Sequence, residues 1–348
     1  MATIKDVARE ASVSIATVSR VFNGAAVVRP ETAKRIREVA TRLRYAPHTG
    51  ARSLITNRTN TLGVLLPDLY GEFFSELIHG IDLTARQNGY HILVSRSWEG
   101  RTEISEAMRA MRGRVDGMLL MSPDVHADTL LNVPADLPVV LLCSPSRGQE
   151  LDSVTIQNFH GAKEMVAHLI ELGHRRIAII KGSAGNFDSA ERLRGYRAAL
   201  KEAGITPLPE LEREGDFTEA SGFAVALELL QMSVRPTAIF LANDSMAIGA
   251  ISALRQSGVR IPEDVAVAGF DDIPLARYMD PPLSSVRVHI SDLGAKAVEV
   301  LLHAITHKND HVRRRERMST EIIIRRSTGG EPAERPPPKT LNREMASV

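Results

Sequence analysis

Between residues 60 and 270 the chain alternates four- or five-residue apolar runs with longer amphipathic or polar stretches, and this rhythm limits the possible folds more than any other feature. Leu62-Gly63-Val64-Leu65-Leu66, His91–Ser95, Gly117–Met121 and Pro138–Leu142 make a first series, and Arg176–Ile180, Thr237–Leu241 and Asp264–Ala268 a second. The stretches 72–88, 103–112, 159–172, 189–203, 221–230 and 245–257 have the length and spacing of helices, the first closed by Gly89. An apolar run without polar alternation is a strand covered on both faces, and strands separated by helices pair in parallel. Two similar halves predict an α/β chain with two doubly wound parallel-sheet lobes and a cleft between them.

The first sixty residues have a different pattern. Ile4, Val7 and Ala8 recur at helical spacing, Ala11-Ser12-Val13 interrupts, and Ser14 stands where an N-cap would open a second helix. There Val18, Val21 and Phe22 turn inward, which leaves Ile15, Ala16, Thr17, Ser19 and Arg20 on or near the open face. Arg29-Pro30-Glu31 starts a third helix whose Ala33, Ile36, Val39, Ala40 and Leu43 close a small core. A short helix with small and polar residues at its N-terminal end can enter a DNA major groove. Residues 1–59 hold eleven Lys or Arg against four Asp or Glu, a net of +7; the whole chain is +1, so the rest carries −6. A basic arm on a mildly acidic body suits a polyanionic partner at one end only.

Thr3-Ile4-Lys5-Asp6-Val7-Ala8, Ser14 through Asn23, and Tyr45-Ala46-Pro47 through Ala51-Arg52-Ser53-Leu54 resemble the lactose-repressor (LacI) family of bacterial transcription regulators, and the similarity runs from about residue 3 to 328. The resemblance implies a three-helix helix-turn-helix domain (1–46), a hinge linker and helix (47–59), a first effector lobe (60–158 and 288–318), a second (159–287 and 319–328) and a disordered tail (329–348). The DNA-contacting set it implies is Thr3, Ser14, Ile15, Ala16, Thr17, Ser19, Arg20, Asn23, Ala51, Arg52 and Leu54. The resemblance implies that Ile15 and Ala16 occupy the pair that the family varies to choose its operator, and that Leu54 is the wedge that kinks the minor groove. Both members of the pair are apolar, so base contact through thymine methyls is expected. Paired recognition helices imply a homodimer on a palindromic double-stranded operator. The tail, with four prolines and one leucine, is not expected to make a tetramer.

Ligands of open α/β sheets bind beyond the carboxyl ends of the strands. That rule selects Asp68 with Phe73 and Phe74, then Asn186, Asp188 and Arg192, then Phe217, Asn243 and Asp271; Asp244 and Asp272 are read either as cleft groups or as helix N-caps. Carboxylates, amides, an arginine fork and flat aromatic faces suit a polyhydroxylated ring. The resemblance implies that Arg192, Asn243 and Asp271 contact the effector and that Phe74 and Phe217 sit where purine-binding relatives stack a base. Asn186 and Asp188 depart from the purine pattern, so the expected effector is a sugar or sugar phosphate, with a purine or other metabolite as the alternative. A non-regulatory sugar-binding protein is a further alternative.

Other signals carry less. His303, His307 and His311 recur every four residues but run into Lys308-Asn309-Asp310, so a solvated helix end is expected rather than a metal site. Gly182-Ser183-Ala184-Gly185 lacks the lysine of a phosphate loop, and Cys143, the single cysteine, reads as inert core. No Ser/His/Asp or paired-carboxylate arrangement is legible, so neither catalysis nor a cofactor is expected. Lys5, Asp6, Arg9 and Glu10 break any leader-like apolar run and no stretch is long enough to cross a bilayer, which together with the lone thiol suggests a cytoplasmic protein without membrane contact.

Overall fold

Three short helices open the chain, and side chains fix their ends. The computed structural model describes residues 2–22, 28–45, 58–96, 101–122, 137–145, 151–308 and 310–330. Asn23, Ala51, Arg52, Leu54 and the tail from Glu331 onward, singled out above, lie outside the described residues. Helix α1 (Ile4–Glu10) is held by a capping box, in which Thr3 accepts from the Asp6 backbone and Asp6 accepts from the Thr3 N–H at 3.0 Å. The turn passes through Ser12 at φ +52°, and Ser14 Oγ then accepts the Thr17 N–H at 3.1 Å to start α2 (Ile15–Phe22). Pro30 opens α3 (Pro30–Arg42), where its missing N–H has no helical partner to lose. Val7, Ala8, Ala11, Val18, Val21, Ile36, Val39 and Ala40 are buried together, and Phe22 meets Tyr45 edge-on at 5.8 Å between ring centroids.

The rest of the chain builds two six-stranded sheets. In chain order its elements are β1 (Thr61–Leu66), α4 (Glu72–Gln87), β2 (His91–Arg96), α5 (Arg101–Met111), β3 (Gly117–Leu120), β4 (Val139–Leu142), β5 (Asp152–Ile156) and α6 (Asn158–Glu171). Then follow β6 (Ile177–Lys181), α7 (Phe187–Glu202), β7 (Glu212–Glu214), α8 (Glu219–Leu230), β8 (Ala238–Leu241) and α9 (Asp244–Gln256). Last come β9 (Ala266–Asp271), β10 (Ser284–Val288), α10 (Ile290–Thr306), β11 (Arg315–Met318) and β12 (Thr320–Ile323). One sheet has the order β11-β5-β4-β3-β1-β2 and is parallel throughout. The other has the order β12-β10-β9-β8-β6-β7 and is parallel except where β12 runs against β10.

The chain passes between the lobes three times. It leaves the first sheet after β5, returns after β10 to lay α10 on α4, and crosses again at Ser319 between β11 and β12. Helices α4 and α10 pack so closely that a Cβ on Gly80 would stand 2.0 Å from the Ser291 carbonyl oxygen; only a residue without a side chain fits there. Two compact units result: residues 1–60 with 113–116, and 61–112 with 117–348.

β5, β10 and β11 are strands that hydropathy does not reveal, because their polar residues are satisfied within the fold. Asp152 at the head of β5 is 1% exposed; it accepts from the Arg314 N–H at 2.7 Å and bonds His311 Nε2 at 2.8 Å. The solvated helix end expected for the three histidines is therefore wrong in part. Helix α10 stops at Thr306, and the chain turns back to bury the His311 side chain against Asp152, with His303 Nδ1 at 3.0 Å from His311 Nδ1. Three histidines four residues apart resemble one helical face, yet a local break folds the last of them inward.

Candidate DNA-reading helix and candidate ligand cleft

On α2 the outward face is preformed. Ile15 is 45% exposed, Ala16 and Arg20 are exposed, and Thr17 and Ser19 are half-buried. The Ser14 hydroxyl, at 2.9 Å from Thr17 Oγ1, and the Thr3 hydroxyl, which donates to Asp6 at 2.7 Å, first serve as helix caps. The face therefore presents Ile15, Ala16 and Arg20 on a helix whose start is already fixed.

The cleft cluster grows from the N-terminus of α7. Asn186 caps it, its Oδ1 accepting the Ser189 N–H at 2.9 Å, and Arg192 lies one turn further in, 3% exposed. Arg192 Nε donates to Asn158 Oδ1 at 2.8 Å, Nη1 donates to the Ala242 carbonyl, and the guanidinium lies 3.7 Å above the Phe270 ring. Asn158, at the first crossing, turns its amide to donate to Asp188 Oδ1 at 2.7 Å. Arg192 Nη2 approaches Asp271 Oδ1 at 3.3 Å, but that oxygen is buried and no donor points along a hydrogen bond to it. Asp271 ends β9 at φ +104°, a conformation L-residues rarely adopt and one that stores strain. Burial outweighs the nearby Arg192 charge and pushes the Asp271 carboxyl up to about 7 and that of Asp188 up to about 6. Cys143, just past β4 at φ +54°, brings in the other lobe: burial, together with the nearby Asp188 and Asp271 carboxyls, pushes its thiol well above the ordinary range and holds it protonated, which makes it inert.

Phe217 takes the left-handed region at φ +71°, its carbonyl accepts from Asn243 Nδ2 at 3.0 Å, and its ring fills the place a side chain on Gly182 would need. Asn243 also caps α9, accepting the Met246 N–H at 3.0 Å, so it mainly positions Phe217. Neither Asp244 nor Asp272 caps a helix. Asp244 is fully buried, accepting from Ser285 Oγ at 2.6 Å and the Ile273 N–H at 2.9 Å. Asp272 is paired with Arg325 and Arg287, each at 2.7 Å. On the first lobe Asp68 closes a local turn, accepting from the Leu69 and Tyr70 N–H groups, while Phe73 and Phe74 pack edge-on at 5.5 Å, partly buried against the core. Adjacent Glu72 accepts the Leu275 N–H of the second lobe at 2.9 Å. Asn158 and Glu72 escaped the sequence reading: Asn158 follows a strand that hydropathy conceals, and Glu72 is an ordinary first-turn acid.

A capped helix-turn-helix ahead of two parallel-sheet lobes, with a buried polar cluster fed by both lobes, defines a DNA-binding regulator with a ligand-binding body. Residues 3–48 match the family of bacterial regulatory proteins, lacI family, and residues 166–328 match a periplasmic binding protein-like domain. A transcriptional repressor, PurR, of Aliivibrio fischeri (strain MJ11) is 39% identical over 94% of this chain and 98% of its own length. Among solved structures, the lac repressor dimer bound to operator and the anti-inducer ONPF superposes with a TM-score of 0.86 at 29% identity, covering 94% of this chain and 99% of that one. A transcriptional regulator CelR–cellobiose complex gives 0.71 at 32% identity, covering 94% of this chain and all of that one. The chain belongs to the LacI family of bacterial transcriptional regulators. No helix among the described residues is long and apolar enough to cross a membrane.

Proposed function

We propose that the chain acts as a homodimeric repressor that reads a palindromic operator through Ser14, Ile15, Ala16, Thr17, Ser19 and Arg20, and that an uncharged carbohydrate bound between the lobes controls it. Thr3, Asn23, Ala51, Arg52 and Leu54 complete the DNA-contacting set on the strength of the family resemblance, and Asp68, Phe73, Phe74, Asn186, Asp188, Arg192, Phe217, Asn243 and Asp271 make up the effector set. The observation that carries the ligand class is the buried Asp271 Oδ1 without a hydrogen-bond donor. A ligand hydroxyl supplies what it lacks, and a buried acceptor left unfilled costs about 1–3 kcal/mol. Two carboxylates, Asp188 and Asp271, share one guanidinium whose Nε and Nη1 donors already serve Asn158 and the Ala242 carbonyl, while Nη2 stands 3.3 Å from Asp271 without a hydrogen bond. A phosphate ester would find few free donors and excess negative charge, so a free sugar fits better than a sugar phosphate. The similarity to a regulator solved with cellobiose supports the same class.

The test is selection from a randomised DNA library, with titration calorimetry against a panel of cellobiose, ribose, glucose 6-phosphate and hypoxanthine. A palindrome whose binding shifts with a free sugar supports the reading. A shift with the phosphate ester or the purine alone would replace the ligand class and leave the DNA role standing.

A further inference from the structure

The chain between the third helix and the first strand ends in a clamp that the effector cleft does not explain. Asp116 is half-buried and stands one residue before β3; Thr59 and Asn60 stand just before β1. One Asp116 oxygen accepts from both the Thr59 N–H at 2.7 Å and Thr59 Oγ1 at 2.8 Å, and the other accepts the Asn60 N–H at 2.9 Å. Three hydrogen bonds from two consecutive residues to one carboxylate are charge-assisted and directional. Asn60 sits at φ +50°, so the backbone turns sharply at the same place. Strands β1 and β3 are direct neighbours, with Leu62 opposite Gly117, which places the carboxylate one step beyond the first rung of their ladder.

We infer that Asp116 is a positioning residue for DNA binding: it fixes where the linker leaves the sheet, so that two reading domains reach a full palindrome without first ordering the ends of their linkers. The inference rests on the palindrome-binding dimer proposed above. A domain bound to a single half-site gains nothing from a fixed linker end, whereas two domains on one operator act through effective concentration, which slack reduces.

The experiment uses the full chain, with Asp116→Asn and the milder Thr59→Val, which keeps both backbone bonds. Three readouts are compared: affinity for the selected full palindrome, affinity for its isolated half-site, and the rate of tryptic cleavage at Arg58–Thr59. Asp116→Asn is expected to bind the full site roughly fivefold more weakly, the factor for re-ordering one residue's backbone on binding. Half-site affinity should be unchanged and cleavage at Arg58–Thr59 faster, with Thr59→Val shifted the same way by less. Unchanged full-site affinity, or equal losses on full and half-sites, overturns the role. If no palindrome is enriched at all, it is the DNA reading that fails, and cleavage then decides the clamp by itself: an unchanged rate overturns it and a faster one supports it.

Discussion

The face of α2 and the cluster under α7 start alike and then diverge. Ser14 and Asn186 do the same work, each accepting an N–H three residues on to start its helix. Beyond the cap, α2 turns Ile15, Ala16 and Arg20 to water, while α7 buries Asp188 and Arg192 among Asn158, Asp271 and Cys143. A surface that reads a rigid duplex needs a fixed helix and open side chains. A site that responds to a ligand needs polar groups held away from water, one of them short of a partner. Substitutions on α2 should therefore alter binding and leave stability unchanged, whereas substitutions under α7 should alter binding and stability together.

The largest break in that contrast is expected from Arg192→Met. It strips the cation from between two buried carboxylates and leaves Asn158 Oδ1 and the Ala242 carbonyl without their donor. Breaking a buried pair by removing one partner costs about 3–5 kcal/mol. Urea denaturation should show that loss, with ligand heat abolished in calorimetry. A stability change under 1 kcal/mol would mean the cluster relaxes freely and is not rigid.

Next comes Ile15→Asn, which changes an apolar tip into an amide able to bond adenine. Operator preference at one base pair per half-site should move by about 1–3 kcal/mol. Stability should stay within about 0.5 kcal/mol, since Ile15 is 45% exposed. Repeating the library selection with the variant reads the first, and thermal melting the second. An unchanged selected sequence would remove Ile15 from the reading face.

The same contrast explains what could be read from the chain before folding. The helix-turn-helix is local: cap, turn and apolar spacing lie within thirty residues, so Ser14, Val18 and Val21 state their roles in order, whereas the capping box of Thr3 was not read. The seven apolar runs likewise announce seven of the strands. β5, β10 and β11 do not, because Asp152, Ser284 and Ser285 look like loop residues until His311, Ser327 and Asp244 arrive from far along the chain. Of the cleft, Arg192 and Asp271 were legible by their place after strands. The bridging role of Asn158, the pairing of Asp272 with Arg325 and the inward turn of His311 were not, since each depends on contacts spanning thirty to a hundred and sixty residues.

A pH series sharpens the comparison further. Folded Asp271 keeps its proton up to about 7, whereas unfolded it would release it near 3.8. Between those values the folded state binds more protons, so this group's contribution to stability falls as pH rises, by at most about 1.4 kcal/mol per pH unit. Asp188, up to about 6, and Asp244, well above its usual value, act in the same direction, while His168 and His174, held low by burial, oppose them. The clean observable is therefore the difference between Asp271→Asn and wild type. The variant should gain relative stability from pH 4.5 to 7, measured by urea midpoints without ligand. A flat difference would mean that Asp271 ionises normally and that its unfilled oxygen is satisfied in solution.

The smallest effect tests the join between the lobes. Glu72 heads α4 on the first lobe, and Leu275 lies in the 3-10 turn Pro274–Tyr278 that follows β9 on the second. Their bond is exposed and 203 residues long in sequence, so it is easily broken, and a hydrogen bond to an exposed carboxylate contributes about 0.5–1.5 kcal/mol. Glu72→Ala should speed hydrogen exchange of the Leu275 amide by about three- to tenfold, the equivalent factor. Exchange in β6, β8 and β9 should not change, because their bonds are internal to the second sheet. Because this bond spans the lobes, its loss should free their relative movement without unfolding either. If the Leu275 amide exchanges equally in both proteins, the bond holds nothing in solution, and the three chain crossings carry the join without it.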